Sequence, residues 1–174
     1  MKKINLILLI LAFSISSESQ SIYTNPNAGF SIDLNNEWVV KSDVSETMAL
    51  SASNKNKNEL MTIQLSKVPA NTVLAYSKEE AELVKPGIIS SMTRKGVKIK
   101  NISVFPDKLS GQKCLTTIAY ISDPELFRGK EQYYKTMQFV HRNYMLIINY
   151  GVLLSSLNPK NLRLIEKQLQ TKII

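Results

Sequence analysis

The sequence holds one cysteine, Cys114, and one histidine, His141. A single cysteine can form no intrachain disulfide, so stability has to come from core packing. One His and one Cys cannot supply a transition-metal site of the usual ligand count. Any Ser/His or Cys/His nucleophilic pair would have to use His141, which stands at the end of a strand pattern beside Arg142. Cys114 lies in a strongly apolar stretch, where a free thiol behaves as an inert small core residue. With six glycines in the chain, no glycine-rich phosphate loop is present.

Other catalytic patterns fail for geometric reasons. Ser110-Gly111-Gln112-Lys113 has the Ser-x-x-Lys spacing of penicillin-interacting enzymes. That spacing joins Ser to Lys only on a helix, and here it falls between two strands with a glycine inside. Neither Ser-Asp-Asn nor Lys-Thr-Gly follows, so the segment reads as a turn. The carboxylates Asp33, Glu37, Asp43, Asp107, Asp123 and Glu125 are scattered. Asp123 and Glu125 flank Pro124 in a loop, whereas a glycosidase dyad must face itself across a cleft. That loop also has too few oxygens for calcium. No catalytic residue, cofactor or metal is therefore expected.

Long apolar runs are also scarce, except at the start. Met1-Lys2-Lys3 precedes an almost unbroken apolar stretch from Ile4 to Ile15, followed by Ser16-Ser17-Glu18-Ser19-Gln20. A basic beginning, a short apolar run and a small-residue exit form a secretory signal peptide. The run falls short of the roughly 20 apolar residues a membrane-spanning helix needs. Residues 1–19 are thus expected to be removed, leaving Gln20 first, with a cut after Ser16 as the competing site. No Cys follows the run, so a lipid anchor is not expected.

The remainder, 20–174, suits one domain. The whole chain carries +8, and losing Lys2, Lys3 and Glu18 removes one unit. An exported basic protein meets anionic headgroups, acidic envelope polymers or an acidic protein partner, rather than nucleic acid. The cluster Arg94, Lys95, Lys98 and Lys100 is the candidate docking patch, with Lys98 and Lys100 on one strand face. A solvated edge strand guarded by lysines is an equally good reading of the same residues.

Elements follow from periodicity. Phe30, Ile32 and Leu34 alternate with polar residues in a short half-buried strand, and Trp38-Val39-Val40 resumes an extended segment after a turn at Asn35-Asn36. Thr47–Ala52 and Met61–Ser66 flank a polar tip and predict a hairpin. Ser77-Lys78-Glu79-Glu80 is a capping box opening a helix with Ala81, Val84, Ile88 and Met92 on one stripe. Pro86-Gly87 predicts a kink or short break in it, and Gly96 its C-terminal cap. Strands are expected over 97–105, 113–122, 131–141 and 144–151, with Arg142-Asn143 joining the last two. The second of these, with Leu115, Ile118, Ala119 and Ile121 on both faces, reads as a central strand covered on both sides. Asn158-Pro159 opens a C-terminal helix with Leu162, Ile165 and Leu169 on one face. The expected fold is α+β, a mostly antiparallel sheet in a single domain with helices on both faces.

The segment Tyr23–Val40, with Gly29-Phe30-Ser31-Ile32-Asp33-Leu34 and then Trp38-Val39-Val40, resembles the opening of PsbP-like and DcrB-like (Mog-type) domains. There a Gly-Phe strand is followed by Trp and an apolar strand. Those domains usually place Pro before that Trp, and here Asn36-Glu37 stand instead. The resemblance extends to the order of hairpin, helix, long strands and closing helix. It implies an α/β/α sandwich and a largely non-enzymatic group that includes exported envelope proteins and protein-binding adaptors. It carries over no functional residue, since Gly29, Phe30 and Trp38 are turn and packing positions.

The expected function is a non-enzymatic periplasmic or secreted module that binds a protein in the envelope or outside the cell. An immunity- or chaperone-type protein for a secreted effector is the alternative, and a hydrolase with an unrecognised site the third. N-terminal sequencing of the protein exported by its own cells should begin at Gln20. An intact Met1 on a cytoplasmic product would contradict the leader.

Overall fold

A computed structural model describes residues 21–157, apart from Asn35, Asn36, Asp43, Val44, Lys55, Ala75 and Leu126. The leader, the Asn35-Asn36 turn and the helix expected from Asn158 lie outside the described residues. Two strands, β1 (Ser21–Asn25) and β2 (Phe30–Leu34), pair antiparallel as a sheet of their own. Seven others form a second, fully antiparallel sheet: β3 (Val39–Ser42), β4 (Met48–Asn54), β5 (Glu59–Lys67), β6 (Lys98–Leu109), β7 (Gln112–Ser122), β8 (Glu131–His141) and β9 (Tyr144–Leu153). Their order across the sheet is β3-β4-β5-β9-β8-β7-β6. Between β5 and β6 runs α1 (Lys78–Arg94).

Strand alternation divides the seven-stranded sheet into two faces. On one, Leu50, Ala52, Met61, Ile63, Phe139, Leu146, Ile148 and Tyr150 are buried together with Ala28, Phe30, Ile32, Leu34 and Trp38. The β1–β2 hairpin is therefore the cover of that face, and Tyr23 adds a tilted ring contact to Phe30 with centroids 5.8 Å apart. On the other face α1 packs on β6 and β7. Ala81 meets Val104 and Leu115, and Met92 meets Val97, Ala119 and Ile121.

The sandwich with helices on both faces is thus corrected. Among the described residues α1 is the one α-helix, and the opposite face is closed by a hairpin. The two-sided burial of β7 is present, with Cys114 on the hairpin side and Leu115 on the helix side. Such burial requires a cover without specifying its type, and the apolar face of β2 supplies one as well as a helix would. Strand β7 is interior but not central, since β9 holds the middle of the order.

Turn chemistry sets the register. Arg142 and Asn143 both have positive φ, 47° and 61°, the two-residue turn whose twist suits a hairpin. Ser110 and Gly111, at 49° and 83°, join β6 to β7 in the same way. Gly29 has φ +66°, and a Cβ there would stand 2.7–2.8 Å from the Arg142 guanidinium stem. The β8–β9 turn therefore lies against the β1–β2 turn, tying the hairpin to the sheet it covers. Gly29→Ala and Gly111→Ala both force a side chain into the left-handed region, at about 1–2 kcal/mol. Only Gly29→Ala also displaces Arg142, because nothing lies within 4 Å of Gly111. Urea titration should find Gly29→Ala the more destabilising of the two, and equal losses would contradict the turn-to-turn contact.

Among the described residues one carboxylate is buried, on the strand face that carries Met61 and Ile63. Glu59 is 4 % exposed and accepts a hydrogen bond from the Tyr150 hydroxyl. Burial raises its pKa, an effect that the Lys57 charge and the Tyr150 bond only partly offset. Lys57 itself pairs with Glu37. Burial, with the Glu59 charge second, also pushes the Tyr150 phenol far up. Because the folded value exceeds the unfolded one, the folded chain keeps a proton that the unfolded chain releases as pH rises. The resulting penalty on folding is absent below the ordinary value of 4.5 and grows as pH climbs through the raised value. Glu59→Gln keeps an acceptor for Tyr150 and removes the charge. Its Tm should exceed the parent's by about 2–4 °C at neutral pH, with the gap closing on acidification below 4.5. A gap independent of pH would refute the buried-charge account.

Candidate functional site

The placement of α1 begins with its caps. Ser77 Oγ accepts from the Glu80 amide at 3.1 Å, and Glu80 Oε2 accepts from the Ser77 amide at 2.9 Å. The Ser77 amide, joined by the Tyr76 amide at 3.2 Å, holds the Glu80 carboxyl below its usual range. At the other end Gly96, φ +80°, donates to Thr93 O at 2.9 Å, and Val97 donates to Met92 O at 3.3 Å. This is a Schellman closure, which sends the chain directly into β6. The break expected at Pro86-Gly87 is not observed, because α1 is continuous through Pro86.

Beside α1 the sheet forms the floor of a cleft of about 260 Å³. Register builds that floor. Thr62, Asn149, Thr136 and Thr117 are successive partners across β5, β9, β8 and β7. Two residues along the strands, Gln64, Ile147 and Gln138 make the next row. Asn149 locks the first row: its Oδ1 accepts from Tyr134 Oη at 2.8 Å and Thr136 Oγ1 at 3.0 Å, and its Nδ2 donates to Thr62 Oγ1 at 3.1 Å. Burial, the dominant cause, raises the Tyr134 pKa and keeps the phenol a neutral donor. Ile88, Ser91, Met92 and Lys95 of α1 form the wall.

The residues singled out by sequence fall elsewhere, with one exception. Lys95 lines the cleft, whereas Arg94 is turned back to Ser90 O at 3.3 Å. Lys100 pairs with Glu131 at 3.2 Å. A bulge between Ile99 and Asn101 interrupts the alternation that would align Lys100 with Lys98. Ser110 occupies the β6–β7 turn, and the Lys113 ammonium stands 5.9 Å over the Tyr76 ring. Cys114 is fully buried, 3.7 Å from Thr116 Oγ1, and burial raises its pKa, so the thiol stays protonated and inert. His141 Nε2 is buried and has no hydrogen-bond partner among the described residues. Among the described residues no three His, Cys, Asp or Glu side chains converge as a metal site.

Sequence reasoning missed the cleft floor. Its only trace there is a set of polar residues, Thr117, Thr136, Gln138 and Asn149, set into otherwise apolar strands. Polar side chains on a strand read as solvent-facing until a helix is known to lie beside them.

No protein-family model matches the chain. No curated protein matches it in sequence. Solved structures do. The solution structure of cyanobacterial PsbP (CyanoP) from Synechocystis sp. PCC 6803 aligns with a TM-score of 0.61 at 9% identity, over 92% of this chain and 96% of that one. A crystal structure from Bacteroides thetaiotaomicron VPI-5482 aligns at 0.50 with 13% identity over 79% of this chain, which spans 42% of that protein. The Saccharomyces cerevisiae Ran-binding protein Mog1p gives 0.49 at 9% identity, covering 88% and 92% of the two chains. The match to CyanoP extends over nearly the whole of both chains, so the likeness first visible in Gly29-Phe30 and Trp38 is one of architecture: the chain has the PsbP-like fold.

Proposed function

We propose that the protein is an exported, non-enzymatic binding module that recognises another protein at the cell envelope or outside the cell. The observation that carries this reading is a patch of exposed aliphatic side chains around the start of α1. Ile22, Val39, Val73, Leu83 and Val84 are the large aliphatic residues most exposed among the described residues. The last three lie together, with Leu74, around one shallow depression. Val73 is 76% and Leu83 79% exposed, an arrangement that costs solubility unless a partner covers it. Export is supported by the basic, apolar and small-residue order of residues 1–20.

Arg94, Lys95, Lys98 and Lys100 remain a second docking surface for an acidic partner. Its charge is reduced by the Lys100–Glu131 pair, which makes the aliphatic patch the better anchor. The experiment is in-cell crosslinking of the tagged chain, recovery from the envelope at low and high salt, and mass spectrometry. One dominant protein should be recovered at both salt levels and lost with Leu83→Glu, whose exposed position leaves the fold intact. A partner bound one-to-one that is a secreted toxin would specify the immunity role. Loss at high salt and with Lys98→Glu instead would move the docking site to the basic group. No specific partner, together with turnover of an ester, peptide or glycan abolished by Ser110→Ala or His141→Ala, would overturn the proposal.

A further inference from the structure

The cleft beside α1 has a chemistry that protein recognition at the aliphatic patch leaves unused. Its floor is rigid, because Asn149 spends both ends of its amide on Thr62, Thr136 and Tyr134. The next row is different. Gln64 and Gln138 are half-buried on either side of Ile147, and neither side-chain amide has a hydrogen-bond partner among the described residues. Their amide atoms stay within reach of solvent in the cleft, so their bonding capacity is open to a ligand that displaces that water.

The wall is equally specific. Ser91 and Lys95 stand one helical turn apart on α1, as do Ile88 and Met92. The first pair presents a hydroxyl and an ammonium, the second an aliphatic strip. Among the described residues no carboxylate lines the cleft, and the exposed Lys95 ammonium stands at its rim. At about 260 Å³ the space is below that of an ordinary drug-sized pocket. It corresponds to roughly nine water-sized volumes.

We infer that this cleft binds a small aliphatic carboxylate carrying one polar substituent next to the carboxyl group. The carboxylate pairs with Lys95 and Ser91, the substituent meets the Gln64 and Gln138 amides, and the aliphatic body lies on Ile88, Met92 and Ile147. An uncharged molecule forgoes the charge-assisted bond to Lys95. The site is separate from the patch at Val73 and Leu83, so it stands or falls independently of the protein-partner reading.

The test is an NMR titration of the full chain with 2-hydroxy-4-methylpentanoate, following the side-chain amide signals of Gln64 and Gln138. The uncharged 2-hydroxy-4-methylpentanamide is the control. Saturable shifts of both glutamines are expected with the acid, at a Kd of about 1 mM or tighter, and about tenfold weaker binding of the amide. Lys95→Met, at an exposed position, should weaken the acid by a similar factor while leaving Tm unchanged, and Gln138→Leu should weaken both probes. Absence of saturable shifts with the acid would overturn the inference, as would equal binding of acid and amide or an affinity indifferent to Lys95→Met.

Discussion

The structure depends on the burial of the sheet face that α1 does not reach. With one cysteine in the chain, no covalent tie holds the β1–β2 hairpin in place. Phe30, Ile32 and Leu34 are at most 1% exposed, and each contributes on the order of 2 kcal/mol by leaving water. They share one core with residues from β4, β5, β6, β7, β8 and β9, so one hairpin helps to seal six strands. The approach of Arg142 to Gly29 adds a steric key at one end. Glu59 and Tyr150 are buried at the cost of desolvation, which places the same face under a pH-dependent load.

Closing that face with a hairpin leaves α1 to serve the other. It settles over β6 and β7, where Val104, Leu115 and Ala119 supply apolar contacts. Beside it, β8, β9 and β5 present threonine, asparagine and glutamine at matching register positions. A sheet whose two faces are both sealed by apolar contacts would have no room for such a row. Among the described residues the helix covers one end of the sheet, and the polar floor and its cleft lie beside it. The exposed Leu83 and Val84 lie on the same helix, so α1 both walls the cleft and carries part of the outward aliphatic patch.

Much of this was legible in the residues. Strand positions from Phe30 to Tyr144 followed from alternation, the capping box at Ser77 and Glu80 from spacing, and the tight turn from Arg142-Asn143. All of these are local signals, decided by a few neighbouring residues. The cover of the second face was not legible, because a two-sided strand such as β7 records burial without naming what buries it. Continuity of α1 through Pro86 also escaped local rules, since packing of Ile88 and Met92 beyond the proline holds the helix together. The cleft residues escaped because Thr117, Asn149 and Thr136 come together only through long-range register. The offset of Lys98 from Lys100 has the same origin in a bulge that no short window reveals.

Native-state hydrogen exchange on the full chain tests the central claim most directly, by comparing the amides of β2 with those of β9. If the hairpin is an integral wall of the core, both sets open only with global unfolding and report the same free energy. Exchange of β2 at much lower free energy, while β9 stays protected, would mean that the sheet keeps its structure without the hairpin and would contradict the account.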